Sequence, residues 1–253
     1  MTVLFVILAY LAATVFIVGL VAKVWKYATT PAPLKIPQTP APVTETGVPG
    51  RMLSEVAVFK SLFKSNRVLW LAAYLFHIGL LLAVIKHFRF FFAGIAAVPG
   101  LSVFTTYEMY AGPIMAIGLL FLLMLRFVVD RHAYISVMSD YFLLLLLVGI
   151  AVTGVIAKHF LRVDLVQVKT FVMGIVSFSP QAFPAEPIFI IHFSLVLLLL
   201  VYFPFSKLMH AAGLFFSPTR NQVDNPREKR LVTPWAAETP AQVEVVEEAP
   251  ETI

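Results

Sequence analysis

There is no cysteine among the 253 residues of this chain. Thiolate-bound iron–sulfur clusters and covalently attached c-type haem are thereby excluded from it, while its redox compartment stays open. Charge is scarce too. Asp, Glu, Lys and Arg make up 13% of the residues against 60% hydrophobic ones, which would leave a water-facing surface short of polar groups and excludes an ordinary soluble globule. The strand-type alternation of an outer-membrane barrel is missing, as is any internal repeat. No basic segment precedes the first apolar run and no small-residue cleavage site follows it, so that run reads as a retained helix.

What the chain has instead is long apolar runs. Five of them, at about residues 3–22, 68–92, 109–129, 141–157 and 187–209, can each cross ~30 Å of hydrocarbon as a helix. The fourth is the shortest and needs its flanks to complete it. Stretches such as "YFLLLLLVGIAV" suit helices. The expected fold is an all-α integral membrane protein of five transmembrane helices, multi-pass in the cytoplasmic membrane. Cations set its expected orientation. Lys23, Lys26, Lys35, Arg51, Lys60, Lys64 and Arg67 precede the second run, Arg126 and Arg131 follow the third, and Lys207, Arg220, Arg227, Lys229 and Arg230 follow the fifth. Only Lys86, Arg89, Lys158, Arg162 and Lys169 fall on the other side, so the positive-inside rule puts the N-terminus outside and the C-terminus in the cytoplasm. The net charge of +5 thus reflects topology and not nucleic-acid binding.

Four segments follow: a first helix over 1–26, a proline-rich cytoplasmic linker with an amphipathic helix over 27–67, a four-helix membrane domain over 68–216, and a cytoplasmic tail over 217–253. In the linker, Met52, Val56, Phe59 and Phe63 recur at helical spacing beside Lys60, Lys64 and Arg67, as in a helix lying on the membrane surface. Between the fourth and fifth runs, "LRVDLVQVKTFVMGIVSFSPQAFP" reads as a surface helix capping the outer end. The tail carries Pro218, Pro226, Pro234 and Pro240, then Glu244, Glu247, Glu248 and Glu251, a composition that predicts mobility unless a partner orders it.

Six histidines remain to be explained. His132 and His159 fall at span ends, where interfacial solvation suffices. His77 and His87 lie in the second run, His192 and His210 near the two ends of the fifth, and an imidazole in hydrocarbon without a partner is costly. Because these runs are antiparallel, His77 and His210 share the cytoplasmic depth, and His87 and His192 the outer one. Each end of the bundle therefore gets two imidazoles from two helices. The eighteen residues from His192 to His210 make five full turns, whereas the ten from His77 to His87 leave those rings about 80° apart on an ideal helix. Tilt, supercoiling or a kink at Pro204 has to absorb the mismatch. Haem b, gripped on both faces by neutral imidazoles and so suited to electron transfer, fits such pairs. Gly79 is expected to let the macrocycle approach its helix. Histidines that merely hydrogen-bond neighbouring helices, and a copper or zinc site, are the alternatives the residues leave open.

The stretches "RVLWLAAYLFHIGLLLAVIKH" and "FIIHFSLVLLLLVYFPFSKLMH" resemble the gamma subunit of respiratory nitrate reductase, a five-helix dihaem cytochrome b, and its relatives. The resemblance covers about residues 68–216 and is most specific in the histidine spacings and the "PFSKLMH" ending. It implies two haem b groups, one held by His77 with His210 and one by His87 with His192. It further implies menaquinone or ubiquinone chemistry at the outer haem and electron exchange with a cytoplasmic iron–sulfur subunit. Two departures stand out: the linker is longer than in the nitrate reductase subunit, and "TTYEMYAG" has no counterpart of the lysine placed near quinol in that family. Relatives serving sulfur metabolism, among them those of the dissimilatory-sulfite-reductase-linked complex, pair such a cytochrome b with a heterodisulfide-reductase-like iron–sulfur protein. The resemblance implies that setting, with further membrane and periplasmic subunits, or alternatively a nitrate reductase.

A quinone needs an apolar entry and hydrogen-bonding groups near a haem. On the outer side Lys86 and Arg89 flank His87, and Tyr107, Glu108 and Lys158 lie at nearby span ends; the inner side has Lys207 and Arg126. Lys86 is the first candidate. Alone, the chain is expected to reduce no soluble terminal substrate. A transporter or channel, and a haem-free structural anchor, are the competing classes; the first is weakened because no broken helix or acidic intramembrane pathway is apparent.

Overall fold

A computed structural model describes residues 1–31, 37–92, 101–217 and 219–224, with the backbone alone over 101–108. The proline- and glutamate-rich tail beyond residue 224, and the side chains of Tyr107 and Glu108, lie outside the described residues. In chain order the helices are α1 (Thr2–Thr29), α2 (Gly47–Val58), α3 (Lys60–Ser65), α4 (Arg67–His87), α5 (Leu101–Val128), α6 (Asp130–Tyr134), α7 (Met138–Val155), α8 (Leu165–Val176), α9 (Pro187–Tyr202) and α10 (His210–Gly213). Among the described residues there is no strand. Five spans are long and apolar enough to cross a membrane: Thr2–Thr29, Arg67–Phe90, Met109–Val128, Met138–Phe160 and Pro187–Phe205. Leu11, Leu81, Ile117, Leu145 and Ile191, one on each span, are all more than half exposed. Apolar side chains turned outward all round a bundle suit lipid and would aggregate in water. The protein is a multi-pass membrane protein.

The chain forms two compact units, one of Met1–Pro31 with Met52–Phe216 and one of Ala32–Arg51 with Ser217–Ile253. In the smaller, linker and tail pair through the backbone: Gln38 donates to the Thr219 carbonyl at 2.7 Å and Asp224 to that of Pro42 at 2.8 Å. The larger unit holds all five spans and all four intramembrane histidines.

Close approach of α4 and α5 is the tightest feature of the bundle. A Cβ on Gly79 would lie 2.4 Å from the Met115 backbone nitrogen, and one on Gly118 would lie 2.4 Å from that of Phe76. Each glycine thus seats the backbone one turn away from the other glycine. Lipid offers apolar helices no hydrophobic reason to associate, so such small-residue contacts, which admit dense dispersion packing, carry the interface. Gly79 therefore serves helix packing, and the expectation that it makes room for a macrocycle is corrected.

Two elements differ from the sequence reading in form. The amphipathic segment of the linker is not one helix: α2 and α3 meet at Phe59, whose φ of 51° turns the chain. The Glu55 carboxylate holds that corner by accepting from the Ser61 backbone N–H at 3.1 Å, and Trp70 Nε1 donates to the Val58 carbonyl at 2.8 Å, one of the acceptors a helix end leaves over. The fifth span is interrupted as well. Pro204 lacks an N–H and crowds the preceding turn, so α9 stops at Tyr202. Two short 3₁₀ turns follow, Phe203–Phe205 and Lys207–Met209, separated by extended Ser206. The Ser206 hydroxyl donates to the Phe203 carbonyl at 2.9 Å and accepts from the Leu208 N–H at 3.2 Å, closing both turns. The five-turn phase relation between His192 and His210 therefore does not hold, because the helix that would enforce it is not continuous; the mismatch with the second span is absorbed here. Pro204 itself is buried, against Gly19 of α1, where a Cβ would come within 2.7 Å of its ring.

At the opposite end α8 caps the bundle. Asp164 begins it by accepting from the Val166 N–H at 2.9 Å. Its Phe171, fully buried, packs edge-on against Phe183 and Phe193 at 5.0 and 5.7 Å between ring centres. Tyr10 of α1 ties this cap to the first span by donating to the Ile175 carbonyl at 2.8 Å. The fourth span takes in flanking residues on both sides, as its short apolar run requires, and this brings Asp140 into its first turn.

Candidate functional site

Two histidine pairs sit at the two ends of the bundle. The His77 and His210 rings lie 6.1 Å apart, centre to centre, with planes at 82°; those of His87 and His192 lie 6.4 Å apart at 23°. Antiparallel packing brings together the partners that depth alone indicated.

In every one of the four rings, Nδ1 faces a protein hydrogen-bond partner. His77 Nδ1 lies 2.7 Å from the Ala73 carbonyl, His87 Nδ1 2.6 Å from that of Ala83, and His210 Nδ1 2.8 Å from that of Lys207. His192 differs: its Nδ1 lies 3.0 Å from the Thr153 hydroxyl, on another helix. A carbonyl can only accept, which makes Nδ1 the protonated nitrogen of the first three rings. Thr153 Oγ1 lies 2.6 Å from the Gly149 carbonyl, and with its proton there it accepts from His192 Nδ1; the Ile150 carbonyl is a second acceptor at the same ring. In all four rings Nδ1 is thus the nitrogen bonded to the protein, which makes Nε2 the one a metal would take.

The His87–His192 pair lines a cavity of about 1250 Å³, open mouth included. Ala83, Ala111, Gly112, Ala151, Gly154 and Ala157 contribute flat apolar wall, while Lys86, Arg89, Lys158 and His159 bring the polar groups. Gly154 lies close against this ring: a Cβ there would meet His192 Cε1 at 3.1 Å and press on it. Lys158 and His159 reach the cavity from a single π turn, Ile156–Phe160, which continues α7 with a wider register. His159, set aside by the sequence as a solvated span-end residue, is therefore part of this cavity, and Lys86 lines it as well.

In the other pair, aromatic rings pack on His77 while His210 stays exposed. Phe59, from the α2–α3 corner, stands edge-on to His77 at 4.9 Å, and Phe76 does so at 4.7 Å. Beside His210 lies an ionic cluster built on one buried carboxylate. Asp140, 4% exposed, takes a 2.7 Å hydrogen bond from Lys207 Nζ and lies 3.8 Å from Arg126 Nη1. It also accepts from the Val137 N–H at 3.2 Å, capping the start of α7. Lys207 and Arg126 are thus bound to a carboxylate.

Thr153, Gly154 and Asp140 were not singled out by sequence. Their only signal is polarity or smallness within an apolar run, in "AVTGV" and "MSDYF", and it points nowhere until the neighbour of α7 is known.

A family model described as nitrate reductase gamma subunit matches residues 56–224. Over 273 residues the chain is 36% identical to the Hdr-like menaquinol oxidoreductase cytochrome b-like subunit of Archaeoglobus fulgidus, covering 91% of this chain and 82% of that one. It is 32% identical over 283 residues to the protein of the same description from Archaeoglobus profundus, covering 92% and 82%.

Proposed function

The chain belongs to the nitrate reductase gamma-subunit family, and on that footing we propose that it is the dihaem cytochrome b subunit of a quinol-linked membrane oxidoreductase. His77 with His210 and His87 with His192 hold one haem b each. The observation that carries this reading is the geometry of the pairs. A metal about 2.0 Å from each of two imidazole nitrogens, with ring centres about 1.1 Å further out, separates those centres by about 6.2 Å; the pairs measure 6.1 and 6.4 Å. The shared use of Nδ1 supports it, since a ligating imidazole bonds through its other nitrogen to a fixed partner. Among the described residues no group of three or more His, Cys, Asp or Glu gathers at one point, so a bare copper or zinc ion would find two ligands where it needs three or four. A porphyrin brings four of its own.

Haem iron held between two imidazoles supplies one-electron exchange with no open position for oxygen or substrate. The chain's own residues do the rest. Small and aromatic apolar residues wall the His87–His192 pair, and Lys86, Arg89 and Lys158 bring cations to the same cavity, suited to carboxylates or to a quinol oxygen. With the N-terminus outside, that cavity faces the outer leaflet, and the His77–His210 pair lies toward a cytoplasmic iron–sulfur partner. Sulfur metabolism is the setting that the resemblance implies. The interrupted fifth span and the buried Asp140 are features a transporter uses, but here Ser206 closes the interruption by hydrogen bonds to both turns and Lys207 pairs with the acid.

Haem extraction and a reduced-minus-oxidised spectrum test the reading: two haem b per chain are expected, and none or one would refute it. In the oxidised protein the near-perpendicular pair should give a strongly anisotropic low-spin paramagnetic resonance signal and the near-parallel pair a rhombic one. For the quinol, Lys86→Ala should keep both haem spectra and slow reduction by a menaquinol analogue by about tenfold, the loss of one hydrogen bond to a charged group. Unchanged kinetics would remove Lys86 from the site.

A further inference from the structure

The second span needs no help to aim its histidines, because His77 and His87 each bond to a carbonyl four residues back in their own helix. The fifth span cannot do the same at either end. His192 turns its Nδ1 away from α9 to another helix, and His210 follows an interruption, so its acceptor, the Lys207 carbonyl, lies in a 3₁₀ turn with no long helix behind it. Both outside contacts lead to the fourth span. Thr153 Oγ1 and the Ile150 carbonyl, both on that span, bond the His192 ring. Asp140, buried at the other end of that span, binds Lys207 Nζ at 2.7 Å and so anchors the residue whose carbonyl receives His210.

We propose that the fourth span, which carries none of the four histidines, is the positioning element for the fifth-span ligand of each pair: Thr153 orients His192 directly, and Asp140 orients His210 through Lys207. The inference rests on the dihaem reading. Its chemistry is that of a second coordination shell, in which the acceptor fixes the ring's rotation and raises its basicity. An amide carbonyl such as that of Lys207 is a stronger acceptor than a hydroxyl such as that of Thr153, so the two pairs are tuned unequally.

The test uses the full chain loaded with haem. Thr153→Val keeps the side-chain shape and removes the hydroxyl acceptor. It should shift the rhombic signal, raise the midpoint potential of that haem, and speed its loss to excess apomyoglobin about 10- to 100-fold, leaving the anisotropic signal in place; Thr153→Ser should restore all three. Asp140→Asn retains an oxygen for the Val137 N–H but loosens Lys207, and should alter the anisotropic signal alone, with Asp140→Glu recovering it in part. Lys207→Met changes the local charge in the opposite sense. A through-space effect would move the inner potential in opposite directions in these two variants, whereas a lost clamp alters the signal of the same haem in both. If Asp140→Asn does not accumulate, Lys207→Met and Thr153→Val decide the matter. Signals unchanged in both, or both haems disturbed together by either, would overturn the proposal. Wild-type protein without two low-spin haems would instead sink the reading beneath it.

Discussion

Alanine at His192 is expected to leave the protein with one low-spin haem instead of two. A six-coordinate iron needs both imidazoles of its pair, and His87 and His192, 6.4 Å apart, are the two that the fold offers at that end. His87→Ala should give the same spectrum as His192→Ala: the rhombic signal disappears or turns high-spin, the anisotropic one persists, and menaquinol analogues no longer reduce the remaining haem at an appreciable rate. His77→Ala and His210→Ala should do the reverse, sparing reduction of the outer haem while stopping transfer to a cytoplasmic acceptor. Haem content per chain, read together with paramagnetic resonance, distinguishes these outcomes. Four single variants that all kept two low-spin haems would end the assignment.

The next largest effect should come from residues far simpler than histidine. A methyl group at Gly79 would arrive 2.4 Å from the Met115 nitrogen, and one at Gly118 2.4 Å from that of Phe76. Backbone cannot rotate aside as a side chain does, so α4 and α5 have to separate. The expected cost of either Gly→Ala change is about 1–3 kcal/mol, visible as a lower melting temperature in detergent and reduced accumulation in membranes. The double variant should cost less than the two singles added together, because helices already parted by one methyl have room for the second. Gly50→Ala is the control: no atom lies within 4 Å of a Cβ there, and in helix α2 the change should be neutral or mildly favourable. Additive losses at Gly79 and Gly118 would mean that the two contacts are independent.

These two glycines mark where sequence reading ends. The five spans were legible because hydrocarbon demands long apolar runs, and the histidine pairs because antiparallel helices of known length leave few choices of depth. "PFSKLMH" and the histidine spacings pointed to the family that the comparisons also find. Gly79 was legible as a close approach, but not as an approach to α5, since nothing in "FHIGLL" names the neighbour. Thr153 and Asp140 are single polar residues in apolar runs, and what they do depends on Gly149, His192 and Lys207, up to 67 positions away. Periodicity likewise set Met52, Val56, Phe59 and Phe63 on one helix face, yet Phe59 instead ends one helix and begins another, its ring drawn to His77. Local pattern reports which residues are apolar; it does not report which of several satisfactory burials wins.

The break at Pro204 gives the two histidine-bearing helices different mechanical characters. Between His77 and His87 runs one unbroken helix, a rigid ruler about 15 Å long; any twist or slide of that rod displaces both rings at once, and one inserted residue would swing one of them by about 100°. Between His192 and His210 lies a joint, built from Pro204 and Ser206. There, a change of angle at one end need not be transmitted to the other, and a change of length can be taken up before it reaches a ligand. A membrane protein assembled this way can adjust one histidine pair while leaving the other in register, and that freedom resides in the fifth span.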